Sequence, residues 1–108
     1  MNLFGFTETP EFTKKILNLL SDDQLASLQI FLCENPDFGK IIKGSGGIRK
    51  VRWSAGGKGK SGGVRVLYYW VVSRDKIIFL DMYAKNEKEI LSQSEMKLLG
   101  KVVEEFKI

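Results

Sequence analysis

The spacing of hydrophobic positions changes once along this 108-residue chain, and the change separates helices from strands. Phe12, Ile16, Leu19 and Leu20 recur at helical spacing behind Thr9-Pro10. That pair reads as a helix start, because proline is favoured at the first helical position. Ser21 opens a second helix, Gln24 completes a capping-box pattern, and Leu25, Leu28, Phe31 and Leu32 form the apolar stripe. Asn35-Pro36 ends it, since a residue before proline is pushed out of the helical region. The spacing predicts an antiparallel helix pair with a very short connection.

Beyond Pro36 the period falls to two. Ile48 to Trp53, Val64 to Val72 and Ile77 to Tyr83 read as strands. The second is apolar on both faces, as suits a central strand. Ser73 to Lys76 is the hairpin connection to the third. Closing it with two or four residues around Arg74-Asp75 places Arg65 opposite Ala84 and Val66 opposite Tyr83. The short apolar run Asn2 to Phe6 fits an edge strand. Ser92, with Glu95 three residues on, caps a last helix whose stripe is Met96, Leu99, Val102, Val103 and Phe106. The order is β-α-α-β-β-β-α, a single small α+β domain over residues 1–108 with a mainly antiparallel sheet.

Composition narrows the function classes. At 44% hydrophobic residues the chain is a folded domain, not a disordered tail. A single cysteine, Cys33, allows no internal disulfide and points to an intracellular, cytoplasmic setting. Cys33 itself sits in a helical stripe and reads as a small core residue. No apolar run approaches the roughly 20 residues that span a bilayer, so no membrane partner is expected. The N-terminal residues lack the pattern of a secretion signal. There is no histidine. A zinc site is therefore not expected, Ser-His and Cys-His nucleophiles are excluded, and acid–base work falls to Lys, Arg, Tyr, Asp or Glu.

The charge is strongly segregated. Between Lys40 and Lys76 lie ten basic residues and one acid, a net of +9, while the rest of the chain holds seven basic and twelve acidic residues, a net of −5. Such a map suggests a polyanionic partner, RNA or DNA first. With the strands as read, one end of the sheet gathers Arg52, Lys58, Lys60, Arg65, Tyr83 and Lys85. Crowded cations favour loss of a proton from one lysine, which then serves as a base. Arginines remain charged and grip phosphate in bidentate fashion. Tyr69 or Tyr83 can stack on a base or donate a proton. Glycines in the Ser54 to Gly63 loop allow close approach of backbone to phosphate.

Plainer readings stand beside these. A Gly/Lys loop is often a solvated hairpin tip, or a phosphate binder without catalysis. Gly59-Lys60-Ser61 looks like the end of a P-loop, but the pattern's first glycine would fall on Ser54, with no strand–loop–helix context. Trp53, Tyr68 and Trp70 read as core or interface residues before base-stackers. Asp81 reads as a salt-bridge partner for the basic cluster before a catalytic carboxylate.

The runs GSGGIRKVRWSAGGKGKSGGVRVLYYW and IIFLDMYAKNEKEIL resemble the RelE/HigB toxins of bacterial type II toxin–antitoxin modules, the HigB branch most closely. The resemblance covers nearly the whole chain. It implies the RelE/ParE-like microbial RNase fold, with an N-terminal helix pair, a small mainly antiparallel sheet and a C-terminal helix. It implies a ribosome-dependent mRNA endonuclease that works in the ribosomal A site with no metal and no cofactor. In that reaction the 2′-OH attacks the adjacent phosphate and leaves a 2′,3′-cyclic phosphate and a 5′-OH. Carried over by position, Lys50 and Arg52 match the family's basic pair on the first long strand, and Arg65 its phosphate-binding arginine. Lys85 and Asn86 fall where a catalytic basic residue sits, and Lys58 and Lys60 belong to a loop block of the HigB branch. Where RelE has a catalytic tyrosine beyond the equivalent of Lys85, this chain has Ser92 or a neighbour, and Tyr83 is the substitute.

The resemblance thus assigns Arg65 and Arg52 to the charged transition state, Lys60 or Lys85 as base, and Tyr83 as acid or stacking group. Lys50, Lys58, Arg49, Tyr69 and Asn86 are RNA-binding candidates. The implied partners are mRNA on the ribosome and a helix-turn-helix antitoxin of the HigA type. The rivals are a ParE-like gyrase poison and a non-catalytic RNA- or ribosome-binding domain.

Overall fold

The computed structural model describes residues 5–53, 63–84 and 92–106. A five-stranded sheet has the order β1-β5-β4-β3-β2. Its strands are β1 (Gly5–Glu8), β2 (Lys40–Ile41), β3 (Arg49–Trp53), β4 (Val64–Val71) and β5 (Lys76–Ala84). Three helices accompany it: α1 (Pro10–Leu19), α2 (Asp22–Glu34) and α3 (Gln93–Phe106). All pairings are antiparallel except β1 with β5, which is parallel. The α+β class and the central place of β4 agree with the periodicity. Of the apolar run Asn2 to Phe6, Gly5 and Phe6 are described; both lie in β1, which continues to Glu8. The two-residue β2 carries no alternation signal at all.

Local chemistry explains the helix ends. The Thr9 hydroxyl accepts from the Phe12 N–H at 3.2 Å and donates to the Leu80 carbonyl at 2.7 Å, so one side chain caps α1 and ties it to β5. Ser21 and Gln24 form the reciprocal capping box of α2. Ser92 and Glu95 do the same for α3, at 3.2 and 2.9 Å. Asn35 is the C-cap of α2.

The sheet separates two cores. On one face, Val51, Val64, Val66, Tyr68, Ile77, Phe79 and Met82 pack with Phe12 and Leu20, and with Leu28 and Leu32 of α2. On the other, Ile48, Leu67, Val71, Ile78, Leu80 and Tyr83 pack beneath Val103 of α3. Trp53 and Trp70 lie against the first core and Tyr68 is fully buried in it, so these rings are packing residues.

The β4–β5 register differs from the expected one. The connection is a single 3-10 turn, Val72–Arg74, followed by Asp75 in the left-handed region at φ 48°, and it pairs Val71 with Lys76. Aspartate tolerates that conformation better than most residues. An irregularity between Leu67 and Tyr68 then skips Leu80, so Arg65 faces Tyr83, Val66 faces Met82 and Val64 faces Ala84. Arg65 opposite Ala84 and Val66 opposite Tyr83 are thereby corrected by one residue. The reason is the turn, which closes Val71 on Lys76, two residues from the expected register; the extra residue of the bulge on β5 recovers one of the two and exchanges the faces of everything after it.

Candidate nucleic-acid interface

Three strands bring Arg52, Arg65 and Tyr83 into one row. Arg52 faces Arg65 across β3–β4, and Arg65 faces Tyr83 across β4–β5. Residues directly opposite in an antiparallel pair share a face. Val51, Val64 and Val66 belong to the α1/α2 core, so this row lies on the face that carries α3. Lys50 is two residues from Arg52 on β3 and shares that face. Arg52 is exposed, Lys50 and Arg65 are half-buried, and Tyr83 is only 3% exposed.

Gly63 lies against Arg52. A Cβ added at Gly63 would stand 3.7 Å from the Arg52 Cγ and Nε and 3.4 Å from the Trp53 carbonyl. The backbone entering β4 therefore runs close to that guanidinium stem.

Two RNA-binding candidates fall elsewhere. Arg49 faces Tyr68, which places it on the α1/α2 face. Its Nη1 donates to the Asp37 carbonyl at 3.0 Å and the Gly39 carbonyl at 2.7 Å. The Tyr68 hydroxyl donates to the Pro36 carbonyl at 2.8 Å and accepts from the Gly39 N–H at 2.9 Å. Arg49 and Tyr68 together clamp the segment between α2 and β2. Burial pushes the Tyr68 phenol above its ordinary value of 10.0, opposed by the Gly39 hydrogen bond and the Arg49 charge. Tyr69 packs against the α3-side core. It lies four residues from Arg65, roughly 13 Å along the strand. A Cβ at Gly47 would come within 3.1 Å of its ring.

Asp81 also departs from expectation. Its Oδ1 accepts from Lys15 Nζ of α1 at 2.8 Å and from the Met82 N–H at 2.8 Å. It pairs with a helix lysine and not with the basic row. Cys33 is half-buried. Lys58, Lys60, Lys85 and Asn86 lie outside the described residues. Among the described residues no three His, Cys, Asp or Glu side chains converge as a metal site requires.

Sequence reading passed over Lys40, which faces Lys50 across β2–β3. Only the register reveals it, because a two-residue strand leaves no periodic trace.

The model for the family described as "RelE toxin of RelE / RelB toxin-antitoxin system" matches residues 37–107. Among solved structures, the chain is similar to one in the intact E. coli RelBE toxin–antitoxin complex, at 19% identity and a TM-score of 0.59, covering 80% of this chain and 100% of that one. It is also similar to the isolated E. coli RelE toxin, at 16% identity and a TM-score of 0.58, covering 93% and 99%. The structural likenesses establish the fold. The family match, which spans Lys50, Arg52, Arg65 and the whole of β2 to α3, establishes more: the chain belongs to the RelE toxin family of toxin–antitoxin systems.

Proposed function

We propose that this toxin is a ribosome-dependent endoribonuclease that cleaves mRNA in the A site and so arrests translation. The observation that carries this reading is the register pair Arg52–Arg65 on a sheet face of a RelE-family domain. Two guanidiniums held side by side match the charge of a phosphate that is gaining a fifth oxygen.

In the reaction, a base removes the proton of a 2′-OH. The O2′–P bond forms, the P–O5′ bond breaks, and the departing 5′ oxygen takes a proton. The products are a 2′,3′-cyclic phosphate and a 5′-OH. Arg52 and Arg65 hold the non-bridging oxygens, and Lys50 neutralises charge beside them. The base is Lys60 or Lys85. Tyr83 stands next to Arg65, but its ring is buried, so its contribution is the hydroxyl proton and not stacking. The chain supplies no histidine for either proton transfer. A cognate antitoxin is the natural inhibitor, and its acidic segments complement the +9 region. The HigB branch and a HigA-type antitoxin rest on the Lys58/Lys60 loop block. Action on translating ribosomes places the protein in the cytoplasm.

The test is controlled expression in a bacterium, with growth followed and mRNA 5′ ends mapped. Wild type should arrest growth and produce new 5′-OH ends within translated codons. Arg65→Ala should lower cleavage roughly a hundred- to a thousand-fold, the loss typical when one transition-state donor is removed. Arrest without RNA cuts would move the assignment to another target such as gyrase. Absence of both would leave a binding domain without turnover.

A further inference from the structure

We propose that Lys40 and Lys50 hold a second RNA phosphate beside the one at Arg52 and Arg65. This rests on the reading of the Arg52–Arg65 row as the scissile-phosphate site. Two cross-strand pairs of like charge occur in succession on one sheet face, Lys40 with Lys50 and Arg52 with Arg65. Like charges directly opposite one another destabilise a sheet, and their Cβ atoms lie only about 4.5–5.5 Å apart. Among the described residues neither Lys40 nor Lys50 has an acidic partner. The fold gains nothing from placing them together, whereas a bound phosphate would turn the repulsion into attraction.

The position of the pair is equally specific. The row formed by Ile42, Ile48 and Tyr69 belongs to the core beneath α3. The Lys40–Lys50 row is the next one along β3, and the Arg52–Arg65 row follows it. The two rows are two residues apart, roughly 7 Å, a step suited to consecutive phosphates of an extended strand. The chemistry is divided between them. Guanidiniums offer the directional fork needed at a reacting phosphate, while ammonium groups act as point charges for a flanking one.

Lys40 is exposed, yet its backbone is fixed on both sides. The Ile42 N–H donates to the Ile48 carbonyl at 2.8 Å, and Arg49 and Tyr68 clamp Pro36, Asp37 and Gly39. The clamp on one face of the sheet therefore positions a lysine on the other.

The phosphate belongs either to the mRNA strand or to ribosomal RNA, and two probes separate these sources. Wild type, Lys40→Gln and Lys40→Arg are titrated over a salt series against a 2′-O-methyl oligoribonucleotide, which cannot be cleaved, and against purified bacterial ribosomes. Loss of one phosphate contact should reduce the slope of log affinity on log salt by about 0.7. That reduction is expected for Lys40→Gln and not for Lys40→Arg. Seen with the oligonucleotide, it assigns the contact to the strand; seen only with ribosomes, it assigns it to ribosomal RNA. A melting temperature of Lys40→Gln at or above that of wild type shows that the fold is intact. An unchanged slope on both probes would overturn the second phosphate site and leave the arginine pair standing. If wild type bound neither probe in a salt-dependent way, the nuclease reading would fall with it.

Discussion

Tyr68 and Arg49 show how much of this molecule depends on single polar atoms. Tyr68 has no exposed surface, and its hydroxyl satisfies two backbone groups, the Pro36 carbonyl and the N–H of buried Gly39. Tyr68→Phe leaves both without that partner and should cost about 1–3 kcal/mol in denaturant unfolding. Its effect on RNA affinity should come through β2 and Lys40, since Tyr68 lies on the opposite face. The same residue predicts a pH dependence. Its folded-state value is raised, so the folded protein keeps the phenol proton to higher pH than the unfolded chain does. The associated stability is present below pH 10 and is lost as pH rises through the folded value. Tyr68→Phe should therefore show a shallower alkaline loss of melting temperature than wild type. Equal alkaline slopes in the two proteins would refute this assignment. Gly39 is part of the same unit, because a Cβ there would lie 2.9 Å from the Tyr68 ring and 3.0 Å from the Lys50 carbonyl.

Among the elements, β5 has the largest consequence for the site. Its bulge decides that Tyr83 lies beside Arg65, and on the same strand Asp81 pairs with Lys15 of α1. The carboxylate side chain is 14% exposed and the lysine 37%, so the pair lies between a surface and a buried salt bridge. Asp81→Asn removes the charge but keeps an oxygen for the Met82 N–H. It should cost about 1–2 kcal/mol of stability. Cleavage by the folded protein should be unchanged, as measured by 5′-end mapping at matched protein levels. A large loss of cleavage at unchanged stability would instead make Asp81 a catalytic carboxylate. At the helices the outcome is simpler, since Ser21 and Ser92 cap through contacts within their first turns and Thr9 adds to its cap one hydrogen bond to the Leu80 carbonyl.

For the whole molecule the governing quantity is the unequal charge, +9 between Lys40 and Lys76 against −5 elsewhere. Self-repulsion in the basic third should make the free protein more stable as salt screens it, by on the order of 1 kcal/mol or less between low and physiological ionic strength. RNA binding should weaken over the same range, because the counterions released on binding become harder to release. Thermal unfolding and binding titrations in the same buffers test both directions. A melting temperature that fell with added salt would show that attractive pairs, not the basic cluster, dominate the surface.

The helices, the central strand and the basic third were legible in the sequence because each depends on near neighbours. Thr9-Pro10, Ser21 with Gln24 and Ser92 with Glu95 act within four residues, and β4 shows its central place through apolar residues on both faces. The proximity of Arg52 and Arg65 was legible too, because one loop joins the ends of two readable strands. What the chain did not disclose are relations set across the fold. The bulge at Leu80 shifts the β4–β5 register and puts Tyr83 beside Arg65. The packing of Tyr68 commits Arg49 to the segment after α2. The pairing of a two-residue strand brings Lys40 opposite Lys50. Sequence by itself determines the kinds of element and the sign of the surface, since periodicity, capping and charge are local or additive. Tertiary structure decides which side chains share a row, because strand register answers to turns, bulges and cores at once, and a slip of one residue carries a side chain to the opposite face.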